Sequence, residues 1–172
     1  MKVLFGLIME KSQFITHPIS PFFDSDSKVL VLGSFPSVKS REQGFFYGNP
    51  QNRFWQVLSK VFDDETPATV EQKKIFLKKH NVALYDVIFS CEITGSSDSS
   101  IKNVKPSDIS EMVSKSKIKK VFLNGKTAGK LYEKYLAANV KLPFETLPST
   151  SPANAAFSIE KLVSEWEKLK NT

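Results

Sequence analysis

Apolar positions along this chain fall into short unbroken runs separated by stripes at helical spacing. Val29–Leu32, Val82–Phe89, Lys120–Leu123 and Phe144–Leu147 are runs bounded by turn residues, and each predicts a strand. Phe54, Trp55, Val57, Leu58, Val61 and Phe62 recur with the helical period, as do Val70, Ile75, Phe76 and Leu77 less cleanly. Ile109, Met112 and Val113 mark a third helix, Ala128, Leu131, Tyr132 and Tyr135 a fourth, and Phe157, Leu162, Trp166 and Leu169 a last one. Residues 94–100, Thr-Gly-Ser-Ser-Asp-Ser-Ser, form the one low-complexity patch and predict a loop. The expected domain is therefore single, spanning residues 1–172, with residues 1–20 unassigned to any element.

Strands that alternate with helices imply a three-layer α/β/α fold around a central, mainly parallel four-stranded sheet. Ligands of such folds bind beyond the carboxyl ends of the strands. Three segments leave such ends: Gly33–Trp55, Asn124-Gly125 and Leu147–Asn154. Asn49-Pro50, Thr66-Pro67 and Ser151-Pro152 each join a capping residue to proline, which predicts a helix start at each. Two of those starts would flank the cleft, with N–H groups suited to an anion.

Composition narrows the chemistry. The 172 residues contain one cysteine, Cys91, which excludes a disulfide framework and a four-cysteine metal or iron–sulfur site. This usage fits a reducing, cytoplasmic setting. The apolar start, Met1–Met9, is too short for the ~20 residues of a membrane helix and reads as a frayed or packed N-terminal segment, with a secretory signal as the lesser alternative. The net charge of +6 permits a polyanionic partner. Only Arg41 and Arg53 are arginines, so diffuse phosphate contact by lysine is favoured over the reading of base edges. There is no phosphate loop and no dinucleotide fingerprint. His17 and His80 sit in no motif, and His80 ends a helix after two lysines, so neither a histidine triad nor a zinc site is expected. What remains is an asparagine, serine and aromatic constellation in Gly33–Trp55. Phe35, Phe45, Phe46 and Tyr47 offer flat surfaces, though core packing is the more common use of such residues. Asn49 and Asn52 carry the paired donor and acceptor that match a nucleobase edge. Together they suggest a pocket for a planar heterocycle.

These residues resemble the motifs of the uracil-DNA glycosylase superfamily. Gly33-Ser-Phe-Pro-Ser37, Tyr47 and Asn49-Pro-Gln-Asn-Arg-Phe-Trp55 resemble its first motif, and Leu147-Pro-Ser-Thr-Ser-Pro-Ala-Asn154 resembles its DNA-entering loop. Ala83-Leu-Tyr-Asp-Val-Ile88 and Ser97-Asp-Ser-Ser-Ile101 are similar to segments of the hypoxanthine-DNA (deoxyinosine) glycosylase branch, and the resemblance runs in order over residues 22–168. It implies a monofunctional enzyme that hydrolyses the N-glycosidic bond of a deaminated base, hypoxanthine by preference, flipped out of DNA. The alternatives are a mismatch-type uracil enzyme and an inactive DNA- or nucleotide-binding relative.

The resemblance implies Asn52 as the catalytic residue, orienting water. It implies Ser34, Phe35, Pro36, Tyr47 and Asn49 around the base. Ser37, Lys39, Ser40, Ser149, Thr150, Ser151, Pro152, Ala153 and Asn154 would meet DNA, with Pro152 and Ala153 as the wedge and Asn154 on the orphaned partner base. Two departures stand out. Phe35 occupies the place where mismatch-specific enzymes keep a catalytic asparagine, and Asn49 stands where relatives usually have histidine. No cofactor, metal or membrane is implied, and a monomer is expected because one cleft suffices.

Overall fold

The computed structural model describes residues 9–172, so most of the apolar Met1–Met9 start lies outside the described residues. Four strands form one parallel sheet: β2 (Val29–Gly33), β3 (Val82–Asp86), β6 (Lys120–Asn124) and β7 (Phe144–Leu147), in the order β3-β2-β6-β7. β2 and β3 are buried at every position, as expected of strands covered on both faces. Helices flank the sheet: α2 (Phe54–Val61), α3 (Val70–Lys79), α5 (Lys126–Tyr135), α6 (Ala137–Val140) and α7 (Ile159–Trp166). The α/β class and the parallel four-stranded sheet are those the alternation of strands and helices implies.

The expected strand Val82–Phe89 is a correction. It is two strands in two sheets. Its second half belongs to β4 (Ile88–Ile93), the centre of an antiparallel sheet ordered β1-β4-β5, with β1 (Gln13–Thr16) and β5 (Lys102–Pro106) at its edges. The chain crosses between the sheets at Val87 with no loop. The Val87 N–H bonds to the Gly33 carbonyl, and the Val87 carbonyl accepts from the Ser107 N–H. Because both halves are buried, apolar continuity hides the switch. Phe35, Ile88, Cys91 and Ile93 form a second, smaller core beneath this sheet.

The three proline-linked helix starts are also corrected. Thr69, not Thr66, caps α3, through a reciprocal box with Gln72. Asn49 Oδ1 accepts from the Gln51 N–H and Ser151 Oγ from the Ala153 N–H, so each closes a local turn with no helix behind it. One short helix, α1 (Val38–Gln43), carries no apolar signal and is capped by Ser37. Another, α4 (Ser110–Ser114), is the short helix that the Ile109, Met112 and Val113 stripe marks.

The sheet edge is tied to the C-terminus by Glu145 on β7, which bridges Lys120 at 2.9 Å and Lys168 at 2.6 Å. Lys168 first, then Lys120, holds the Glu145 carboxyl below its ordinary value. A depressed carboxylate stabilises the fold above its unfolded pKa and loses that contribution as pH falls through the folded one. Glu145→Gln is therefore expected to be less stable than the wild type at pH 7, by under about 1 kcal/mol. The difference should vanish below the carboxylate range in urea titrations repeated across pH.

Candidate active site

The carboxyl ends of β2, β3 and β6 open into one recess of about 190 Å³. This is smaller than the ~300–1,000 Å³ typical of drug-sized ligand pockets, and suits one flat ring system. Gly33 ends β2 at its floor, and a Cβ there would lie 2.5 Å from Asp86 Oδ1 and 3.2 Å from the Tyr47 hydroxyl. Only glycine allows these two side chains to close over the strand end.

Asn52 is fixed by an asparagine–threonine chain. Its Oδ1 accepts from the Phe54 N–H at 3.0 Å and from the Thr150 hydroxyl at 2.8 Å. Thr150 Oγ1 in turn accepts from Asn124 Nδ2, and Asn124 Oδ1 accepts from the Thr150 N–H. Backbone N–H groups can only donate, so both amide orientations are determined. Asn52 therefore has its oxygen occupied twice and its NH₂ group left for the recess it lines. It precedes α2 rather than lying in its first turn, as Arg53 is the cap residue.

Other expected residues divide into two groups. Ser34, Phe35, Pro36, Tyr47 and Asn49 line the recess, and so do Ser149, Ser151 and Pro152 from the facing loop. Lys39 is exposed on α1, and Pro152 and Ala153 are exposed at the loop tip. Two assignments change. Thr150 is wholly buried and acts inward on Asn52 and Asn124, not on a DNA surface. Ser40 is 2% exposed, and its hydroxyl accepts from the Gly48 N–H. The Asn154 amide donates to the Ser149 carbonyl. Ser37 Oγ is committed to capping α1, accepting from the Ser40 N–H.

Phe35 is 8% exposed and belongs to the second core, edge-on to His17 and beneath the Arg41 guanidinium. Tyr47 stacks on Phe54 with ring centroids 3.8 Å apart and holds a positive φ of 52°. A left-handed aromatic residue is an outlier of the kind that gathers at functional sites. Among the described residues its hydroxyl is buried without a hydrogen-bond partner, and burial, aided by the Asp86 charge, pushes its pKa up, so it remains a protonated donor.

Sequence patterns missed the charged groups here. Asp86, at the end of β3, is 4% exposed, yet its side chain lines the recess. Its Oδ2 bonds to His17 Nε2 at 2.8 Å. His17 Nδ1 accepts from the Ile19 N–H, so that nitrogen carries no proton and the ring donates through Nε2. Asp86 Oδ1 has no partner among the described residues and is the oxygen nearest Gly33. Asp98 sits on the 94–100 loop with its carboxyl turned to the Ser34 hydroxyl at 3.0 Å. Burial raises its pKa, Ser34 opposes the shift, and the Asp86 charge adds to it. That loop is clipped to α1, just after the Gly33 turn, at two further points: Ser96 Oγ accepts from the Val38 N–H, and the Gly95 carbonyl accepts from Arg41. The motif Ser97–Ile101 was the only sequence signal for this wall. His17 gave none, because its partner is 69 residues away.

Among the described residues no cluster of metal-ligating side chains occurs, and no helix is long and apolar enough to cross a membrane. Two curated relatives from Methanosarcina, each named hypoxanthine DNA glycosylase, match most of the chain. The one from Methanosarcina acetivorans is 37% identical over 84% of this chain and 90% of its own length. The one from Methanosarcina barkeri is 31% identical over 85% and 92%. A solution NMR structure of a Methanosarcina acetivorans protein, described as a candidate uracil DNA glycosylase, superimposes with a TM-score of 0.76 at 28% identity, covering 92% of this chain and 99% of that one. The sequence model of the uracil DNA glycosylase superfamily matches residues 20–170, and with that match over the same sheet and recess, the chain belongs to this superfamily.

Proposed function

We propose that this protein is a monofunctional DNA glycosylase that hydrolyses the N-glycosidic bond of hypoxanthine in DNA, with uracil as the second substrate of the same pocket. The observation that carries the reaction is the orientation of Asn52, whose NH₂ group is the donor left open at the recess. Extrusion of the base costs a few kcal/mol and is easiest at a mispair. The exposed tip, Pro152 and Ala153, fills the vacated stack. Bond cleavage builds positive charge on the sugar and negative charge on the departing base. A fixed amide donor aimed at that base stabilises the charge as it develops.

This refines the role of Asn52. Its oxygen has no lone pair left for a water proton, so it serves the leaving group rather than the nucleophile. The free oxygen of Asp86 suits the base itself. Hypoxanthine and uracil each present a lactam N–H beside a carbonyl, and a carboxylate accepts that N–H. Adenine and cytosine present a bare ring nitrogen at the same place, which a carboxylate repels. Asp86 thereby separates deaminated bases from their parents. Among the described residues no lysine lines the recess, so none of them offers an amine to form a Schiff base with the sugar and cut the strand. The preference for hypoxanthine follows the names of the two curated relatives.

The test is incubation with duplexes carrying one hypoxanthine, uracil, adenine or cytosine, followed by alkali. Alkali-dependent breaks at hypoxanthine, fewer at uracil and none at the parent bases are expected. Breaks without alkali would contradict the monofunctional reading. Intact strands in every duplex would leave the inactive DNA-binding alternative.

A further inference from the structure

Arg53 follows Asn52 directly, and its backbone N–H and both terminal guanidinium nitrogens turn to one segment. Its backbone N–H donates to the Thr150 carbonyl at 3.0 Å. Its guanidinium donates to the carbonyls of Ser151 and Asn154, each at 3.0 Å, and to that of Phe157. No carboxylate pairs with it among the described residues, and its Nε is buried without a partner. The segment it grips has no regular secondary structure between β7 and α7. Internal bonds add short turns: Asn154 N–H to the Ser151 carbonyl, Phe157 N–H to the Asn154 carbonyl, Ala153 N–H to Ser151 Oγ, Ser151 N–H to Ser149 Oγ and the Asn154 amide to the Ser149 carbonyl. Arg53 is the side chain that ties residues 151, 154 and 157 together and to α2, and the same loop supplies the Thr150 hydroxyl that holds Asn52.

We infer that Arg53 is a positioning residue that pre-forms the 151–157 loop as a rigid wedge and seats it against Asn52, so that excision from a duplex depends on it far more than excision from a single strand. The inference rests on the glycosylase reading above. A wedge must enter the stack at a fixed place. A loop ordered only on contact with DNA would lose conformational freedom at that step, whereas a pre-formed one does not. Arginine suits the task because its planar fork holds several carbonyls at once. Lysine offers a single flexible point charge. A base in a single strand needs no wedge, so it reports on the pocket alone.

The test compares the wild type and Arg53→Lys on hypoxanthine placed in a duplex opposite thymine and in a single strand, with amide hydrogen exchange on both proteins. The duplex rate of the variant is expected to fall about tenfold or more, with the single-strand rate within about threefold of wild type. Amides of Asn154 and Phe157 should exchange faster in the variant while those of β2 and β6 keep their protection. Equal losses on both substrates, or unchanged exchange in the loop, would overturn the inference. If the variant does not fold, exchange in the free wild type decides. Protected amides at Asn154 and Phe157 without DNA support a pre-formed wedge, and free exchange there refutes it. A wild type that excises nothing would instead remove the glycosylase reading, and the exchange data would still judge the clasp.

Discussion

Asn52→Ala is expected to bind DNA and to excise hypoxanthine about 10²–10³-fold more slowly than the wild type. That is the usual effect of removing one fixed donor from a site of developing negative charge. The fold should survive. The variant loses the acceptor of the Phe54 N–H and of the Thr150 hydroxyl, about 1–3 kcal/mol against a typical domain stability of about 5–15 kcal/mol. Single-turnover rates with enzyme in excess isolate the chemical step from product release. Asn52→Asp sharpens the result. Aspartate keeps the volume and still offers an oxygen to Phe54 and Thr150, but presents a second acceptor to the recess in place of the NH₂ donor. It should be as slow as alanine. A near-normal rate in Asn52→Asp would mean that the residue serves water as an acceptor, and the donor role would be wrong.

The sheet's three inner runs were legible because β2, β3 and β6 are buried on both faces and read as apolar runs. β2 and β6 were found nearly to the residue for this reason. The same property concealed Val87, where the chain leaves one sheet for another while every side chain stays buried. The antiparallel sheet was illegible for the opposite reason. β1 and β5 are short, largely exposed edges, and β5 carries two lysines within its five residues. Hydropathy has little to register there.

At the site, residue types gave the amides but not their wiring. Asn52 was found from its motif, and its role changed once Thr150 was seen on its oxygen. Thr150 itself reads as a surface serine–threonine loop in sequence, yet it is 0% exposed. Asn49 and Ser151 are capping residues beside proline, and both do accept from a backbone N–H two positions on. The local chemistry was read correctly, and the helix behind it was not there. The His17–Asp86 pairing was invisible because His17 follows β1 of one sheet and Asp86 ends β3 of the other. No spacing rule joins a histidine just past an edge strand to an aspartate at the end of a buried one.

That pair yields the largest expected effect on stability. His17→Ala should cost about 3–5 kcal/mol, which for a chain of this size lowers the melting temperature by about 10 °C. Two losses combine. The ring packs against Tyr85 with centroids 4.7 Å apart and against Phe35 at 5.7 Å, so alanine leaves a void between the two sheets. The Nε2 donor also leaves Asp86, a carboxylate 4% exposed with no other hydrogen bond among the described residues. Asp86→Asn separates these contributions. It preserves volume and lets the introduced amide oxygen accept from His17, so stability should change by less than about 1 kcal/mol, since no buried charge is left unpaired. Discrimination should fall instead. With its oxygen on His17, the asparagine turns an NH₂ donor to the base in place of the carboxylate, so adenine is no longer repelled, and the ratio of hypoxanthine to adenine excision should narrow by about tenfold or more. The double variant His17→Ala/Asp86→Asn should recover part of the stability lost in His17→Ala, because the stranded charge is gone while the void remains. Urea unfolding of all four proteins measures the coupling. Strict additivity of the two changes would show that His17 supports the fold by packing alone, with no coupling to Asp86.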